Sequence, residues 1–267
     1  MRHEISNYMK RIGVSEKDDI EHTYEFLKWL QYCHVTAVPY ENLDMISGVS
    51  ISLEIKDVYH KVVEQQRGGC CFELNCLFAW LLKEMGFEVK SYLARYLRNE
   101  TGVPVRRHQI LLVTCDDGEY ICDVGVGQQS PRYPLKFVHG IVQTQFGEKY
   151  KFERDNELGW ILFDYHKGEW KRFYSFTQEE QYDIDFIQPL FYCEKHPDSA
   201  FNKVMVVAVK TKGGRKTLHD RTYKEFVADK LICLEQHLEQ ERMIEILQQE
   251  FFLYGREVIG VIEEAFK

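Results

Sequence analysis

Residues 67–75, RGGCCFELN, decide how the rest of the chain is read. Two glycines free the backbone, two thiols follow, and the residues then turn helix-forming and apolar. A thiol on the first turn of a helix meets the positive end of the helix dipole and N–H groups with no acceptor inside the helix. Both favour the thiolate and lower its pKa. The glycines let backbone N–H groups approach a cleft closely, as an oxyanion site requires. The stretch therefore suits a cysteine nucleophile. Cys70 and Cys71 both fit, since both lie on the apolar stripe continued by Leu74, Leu77 and Leu81. The plainer alternative is a pair of core thiols packing the start of a buried helix.

Working outward, Cys71 to Met85 is apolar almost all round, which places its helix in the middle of the fold. Gly86 follows, where a helix end takes a left-handed residue. Upstream, Ile20 to Cys33 and Ile55 to Val63 carry apolar residues at helical spacings. From Phe87 the period changes. VKSYLARYL, HQILLVTC, EYICDVGV, KFVHGIVQTQ, YKFER, GWILFDYH and EWKRFYSF are β-rich runs separated by turn residues such as Asp117-Gly118 and Lys167-Gly168. Short strands at close spacing indicate an antiparallel barrel or sandwich. Gln178 to Tyr192 reads as helix again. Lys203 to Lys210 and Arg215 to Arg221 read as a last hairpin around Gly213-Gly214, and Glu239 to Phe251 and Glu257 to Lys267 as closing helices. The whole is an α+β arrangement.

A nucleophilic cysteine needs a base, and the base needs an orienting group. Of the ten histidines, His108 opens the most apolar strand, HQILLV. Asp123 is a carboxylate set among Ile, Cys and Val, destabilising unless paired, and an imidazolium would supply the pair. A two-residue turn at Asp117-Gly118 sets His108 opposite Gly127 and Leu112 opposite Asp123. His108 and Asp123 then share a face but stand four residues apart, about 13 Å along the strand. GVGQQS (Gly125 to Ser130) lacks the third glycine of a dinucleotide fingerprint and runs into Pro131. TKGGRKT lacks the spacing of a phosphate-binding Walker loop. Both read as turns.

Composition narrows the classes. The 267 residues carry a net charge of -8, which argues against a nucleic-acid partner. Arg106-Arg107 and the lysines and arginine of 210–216 are only short basic clusters. No apolar run approaches the ~20 residues of a membrane span. MRHEISNYMKRIG lacks the apolar stretch of a signal peptide, so the expected address is the cytoplasm. The eight cysteines include no C-x-x-C pair, so reduced thiols are expected and a structural zinc site or other metal is not. Cys115 and Cys122 flank the hairpin turn, but a disulfide there would need an oxidising compartment.

Several motifs in order resemble the arylamine N-acetyltransferase family over essentially the whole chain. VPYENLD (Val38 to Asp44) is similar to its P-F-E-N-L element, and RGGCCFELN matches its R-G-G-x-C-x-E-x-N signature. RHQILLV supplies its histidine, CDVGVG its D-V-G-F-G, and KHPDSAF (Lys195 to Phe201) its H-P-x-S-x-F stretch. The resemblance implies Cys71 as nucleophile, with Cys70 at the variable position, and His108 and Asp123 as its partners. It implies a helical bundle (residues 1–86), a β-barrel (87–192) and an α/β lid (193–267) around a cysteine-protease-like core. Arg67 is expected to pair with Glu41. Tyr40 and Val126 stand where the family has phenylalanines, and both would line the acceptor pocket. The implied reaction is acetyl transfer from acetyl-CoA to an arylamine or hydrazine through an acetyl-cysteine thioester. Thr101-Gly102 is a candidate wall for the CoA adenine. Two rivals remain: a cysteine hydrolase (amidase or transglutaminase-like) using the same residues, and a binding protein that keeps only the fold.

Overall fold

A computed structural model describes residues 3–14 and 21–266; Ile20 and Lys267, at the ends of two expected helices, lie outside them. The first third is helical: α1 (His3–Arg11), α2 (Tyr24–Ala37), the short α3 (Leu43–Ile46), α4 (Ile55–Tyr59) running on as a π turn, and α5 (Cys71–Glu84). The first strand, β1 (Tyr40–Glu41), interrupts this series. Helix α5 sits where its all-round apolarity placed it, with ten buried residues, and Gly86 leaves it at φ +90°.

The middle third holds β2 (Glu88–Tyr96), β3 (His108–Cys115), β4 (Gly118–Cys122), β5 (Leu135–Lys136), β6 (Gln143–Gln145), β7 (Glu148–Asp155), β8 (Gly159–His166) and β9 (Glu169–Gln181). They form one antiparallel sheet in the order β5-β4-β3-β2-β9-β8-β7-β6, curled into a nearly closed barrel. Side chains stitch its seam. Gln143 accepts from the Lys136 N–H at 2.7 Å and donates to the Lys136 carbonyl at 2.9 Å. Gln145 does the same to Tyr133, at 2.6 and 3.1 Å. Strand β3 is buried on both faces. Leu111 and Val113 join the core under α5, while Ile110 and Leu112 face the barrel interior with Tyr174 and Phe176, as alternation requires.

The last third contains α6 (Ile187–Lys195), β10 (Val206–Lys210), β11 (Gly214–His219), β12 (Thr222–Val227), β13 (Lys230–Glu235), α7 (Gln240–Glu250) and α8 (Arg256–Ala265). Strands β10 to β13 form a sheet completed by β1 from the first third, in the order β1-β10-β11-β12-β13. Its apolar face takes Met243, Ile246, Leu247 and Ile262 from α7 and α8.

Three sequence readings need correction. The expected last hairpin is followed by two more strands, β12 and β13. Their exposed leucines and isoleucine gave no half-buried alternation to detect. Residues 178–181 extend β9, a 3-10 turn covers Asp183–Phe186, and α-helix begins at Ile187. The run KFVHGIVQTQ is two short strands, because Gly140 at φ +73° breaks it.

Candidate active site

Helix α5 begins with Cys70 as its extended N-cap residue, so Cys71 is the first helical position. The Cys70 N–H donates to Glu73 Oε2 at 2.8 Å, a capping contact that fixes the loop-to-helix turn. Lys61 holds the other Glu73 oxygen at 2.8 Å. The loop before the cap is gripped by Arg67, whose Nη2 lies 2.7 Å from Glu41 Oε1 and whose Nη1 lies 2.6 Å from Asp44 Oδ1. The expected Arg67–Glu41 pair is therefore present. A Cβ on Gly68 would fall 2.1 Å from the Pro39 carbonyl oxygen, so the close approach to the Tyr40 segment requires glycine.

The two thiols now part company. Cys70 is 1% exposed and turned into the core, whereas Cys71 is 6% exposed and lines a cleft of about 220 Å³. His108, Tyr40 and Val126 line the same cleft, with Tyr96, Arg107 and Phe201. The Cys71 thiol donates to the Arg107 carbonyl at 3.8 Å, immediately before His108. Asp123 lies behind His108, 1% exposed, with its Oδ2 2.7 Å from His108 Nε2. A carboxylate only accepts, so Nε2 carries the donated proton and Nδ1 is the ring atom left to exchange one.

The register explains how His108 and Asp123 meet. The β3–β4 hairpin turns at Asp116-Asp117, so Cys115 pairs with Gly118 and Leu111 with Cys122. Aspartates favour turn centres, and Gly118, at φ +141°, becomes the first strand residue. Shifting the turn by one residue moves every partner by two. Faces are preserved, and half of the expected separation between His108 and Asp123 disappears.

Asn75, one helical turn beyond Cys71 and on the same face, ties the helix to the strands. Its Nδ2 donates to Asp123 Oδ1 at 3.1 Å and to the Gln109 carbonyl at 2.7 Å, and its Oδ1 accepts from the Val124 N–H at 3.0 Å. The Gly125 N–H also donates to Asp123 Oδ1, at 2.9 Å. A Cβ on Gly125 would lie 2.6 Å from Asn75 Nδ2 and 2.7 Å from Cys71 Cα, so only glycine lets the strand end pass Cys71.

The electrostatics run against one expectation. Hydrogen bonding to the Cys70 sulfur pushes the Cys71 thiol well above an ordinary cysteine, and burial, Cys193 and the Asp123 carboxylate push the same way. The helix dipole, worth of order 1 kcal/mol, acts in the opposite direction. Forming the thiolate therefore depends on a place for its proton, and His108 Nδ1 is the candidate. Burial also raises the Tyr40 phenol well above its usual value, keeping it neutral at the cleft wall.

Asn75 had a local signal, its i+4 spacing from Cys71. Phe201 closes the KHPDSAF motif, whereas Val206 and Ala208 had no signal, since they reach the cleft from far along the chain. Thr101 and Gly102 are exposed and line no part of it. Among the described residues, no group of three or more His, Cys, Asp or Glu side chains converges to hold a metal ion, and no helix is long and apolar enough to cross a membrane.

A family model described as N-acetyltransferase matches residues 23–255. The arylamine N-acetyltransferase of Escherichia coli K12 is 32% identical over 216 residues, spanning 80% of this chain and 76% of the relative. That of Mycobacterium tuberculosis H37Rv is 33% identical over 224 residues, spanning 82% and 78%. The arylamine N-acetyltransferase structure from Salmonella typhimurium superposes with a TM-score of 0.92 at 28% identity, covering 99% of both chains. The Mycobacterium marinum arylamine N-acetyltransferase in complex with CoA superposes at 0.88 and 25% identity, covering 97% and 98%. The chain belongs to the arylamine N-acetyltransferase family of acyltransferases.

Proposed function

We propose that the chain acetylates arylamines and hydrazines with acetyl-CoA by double displacement through Cys71. One observation carries the reading: Cys71 and His108 face a single cleft, and the far nitrogen of His108 is held 2.7 Å from Asp123. As Cys71 Sγ attacks the thioester carbonyl, its proton passes to His108 Nδ1, and Asp123 steadies the imidazolium. The oxyanion that forms is met by first-turn N–H groups of α5, which have no acceptor within the helix. Collapse breaks the bond to CoA, whose sulfur takes the proton from His108 and leaves as the thiol. An arylamine or hydrazine then enters. It attacks the acetyl-cysteine while His108 removes its proton, and collapse returns that proton to Cys71. Weakly basic arylamines suit this step, being uncharged at neutral pH. Tyr40 and Val126 would shape the acceptor wall.

The test is mass measurement of the intact protein after incubation with acetyl-CoA and no acceptor. One acetyl group on Cys71, discharged on adding an arylamine, supports the reading. A chain that stays unmodified but cleaves amides would be the cysteine hydrolase, and one that does neither would be a binding scaffold.

A further inference from the structure

Arg107 stands one residue before His108 and lines the Cys71 cleft. Among the described residues it is the one lysine or arginine of that lining, and no aspartate or glutamate joins it there. The side chain is only 15% exposed. Its Nη2 pairs with Glu100, which is 32% exposed and stands outside the lining, so solvent weakens that partner's hold. Its Nε N–H is buried and meets no acceptor among the described residues. A buried donor left unpaired is costly. The guanidinium therefore has both charge and a hydrogen bond to give to a further acceptor.

The rest of the cleft says what that acceptor is carried on. The Phe201 ring centroid lies 5.7 Å from the guanidinium carbon, within reach of a cation–π contact. Val126, Val206 and Ala208 add apolar wall. The Tyr96 hydroxyl is already committed, donating to Gln129 Oε1 at 2.5 Å. The Cys71 thiol reaches the Arg107 carbonyl at 3.8 Å, so sulfur and cation belong to neighbouring points of one wall. A ligand with its amine at Cys71 and its ring against Phe201 and Val126 meets Arg107 with whatever else the ring carries. An anionic group there gains a charge-assisted bond in largely apolar surroundings, where it is stronger than in water. A cationic group is repelled.

We propose that Arg107 makes the acceptor site selective for aromatic amines bearing a carboxylate on the ring, with the guanidinium holding the carboxylate while the amine faces Cys71. The inference rests on the acetyl-transfer reading above and adds which arylamines the site takes. A rigid ring keeps the two groups apart, so the ionised carboxylate stays clear of the thioester and the weakly basic amine stays uncharged. It also divides the Arg106-Arg107 pair. Arg106 is spent on Glu179, whereas Arg107 serves the cleft.

The experiment compares 4-aminobenzoate with 4-aminobenzamide, its uncharged near-isostere, as acceptors for the full chain with acetyl-CoA. In a double displacement kcat/KM for the acceptor reports the second half-reaction alone, so the donor does not enter. The wild type should prefer the carboxylate. Arg107→Gln should lower that preference about tenfold, the scale of one charge-assisted contact, and Arg107→Lys should restore part of it. Glu100→Gln, which frees the guanidinium from its outer partner, should raise the preference severalfold. Equal losses on both acceptors in Arg107→Gln would overturn the assignment. So would a wild type indifferent to the charge, or a preference in Glu100→Gln no higher than the wild type's. A loss in Arg107→Gln confined to kcat/KM for acetyl-CoA would hand the guanidinium to the donor instead. A second arm needs no transfer. Benzoate should slow alkylation of Cys71 by iodoacetamide more than benzamide does, and Arg107→Gln should remove the difference. Equal protection by the two, or protection by benzoate that survives Arg107→Gln, would sink the subsite. If benzoate protects as expected but the wild type never acquires an acetyl group from acetyl-CoA, the anion contact stands and it is the transferase reading that has failed.

Discussion

Asn75 Nδ2 and Asp123 Oδ1 meet at 3.1 Å across the boundary between helix α5 and the end of strand β4. The helix carries Cys71 and the strand end carries Asp123, so this contact and its companions to Gln109 and Val124 set how far apart the two stand. Asn75→Ala should lower kcat for acetyl transfer about a hundredfold, the scale of a misplacement near 1 Å, while acceptor KM stays close to wild type. Asn75→Asp should be worse, because it keeps an acceptor for the Val124 N–H but sets a like charge against Asp123. A kcat for Asn75→Asp above that of Asn75→Ala would show that the amide does not position the carboxylate.

Cys71→Ala should abolish acetyl transfer, and Cys70→Ala should retain most of it. The difference in the two thiols' access to the cleft motivates this. Initial rates with acetyl-CoA and an arylamine check it, and a dead Cys70→Ala beside an active Cys71→Ala would reverse the assignment.

The Cys71 thiol offers a sharper test through pH. Its Cys70 neighbour, burial and nearby negative groups all raise its pKa, so a low apparent value in the wild type must come from proton transfer to His108. Alkylation of Cys71 by iodoacetamide, followed by peptide mapping, should be fast near neutrality in the wild type. In His108→Ala only the raising influences remain beside the helix dipole. Its inflection should move above the ~8.5 of a free cysteine, and alkylation at neutral pH should slow more than tenfold. Identical profiles for the two proteins would contradict this.

Val126→Phe should narrow the Cys71 cleft, which at about 220 Å³ has little space to give. Bulky arylamines should lose kcat/KM about tenfold, the scale of discrimination an apolar pocket gains from small changes in shape, and small hydrazines much less. Equal losses across an acceptor series would remove Val126 from the acceptor wall.

His34, buried in α2 with its Nδ1 2.8 Å from the Tyr8 hydroxyl, titrates near 3, held down by burial and then by Arg11. The unfolded chain protonates the same ring near 6.5. Between those values the unfolded state holds the extra proton. Stability is therefore complete above about pH 6.5 and falls by roughly 1 kcal/mol per pH unit as pH drops toward 3. Urea unfolding at several pH values should show a shallower acid slope in His34→Gln than in the wild type. Parallel slopes would place the acid sensitivity elsewhere.

What was legible in the sequence was local. The apolar circumference of Cys71 to Met85, the stop at Gly86 and the apolar run of HQILLV each reside in a few consecutive residues, and each element stands where it was read. The resemblance then separated Cys71 from Cys70, which periodicity alone left level. Strand β1 was invisible because two residues have no period, and its partner Ala208 lies far along the chain. The meeting of His108 with Asp123 was misjudged because the hairpin turns one residue earlier than Asp117-Gly118 suggests. Asn75 sat in plain view within RGGCCFELN, but its value depends on Asp123 and Val124 arriving from another segment.

Strand β1 is also a mechanical clamp. Tyr40 and Glu41 pair on one side with Ala208 and Val207 of β10. On the other side, the Glu41 N–H donates to the Gly69 carbonyl at 3.0 Å, just ahead of Cys70 and Cys71. Tyr40 and Ala208 both border the Cys71 cleft. Two residues thus weld the jaw that bears the sheet β10–β13 to the jaw that bears the sulfur. Swinging those jaws apart would break backbone bonds on both flanks of β1. On the double-displacement reading proposed above, donor and acceptor would take turns at that one opening, each leaving before the other arrives.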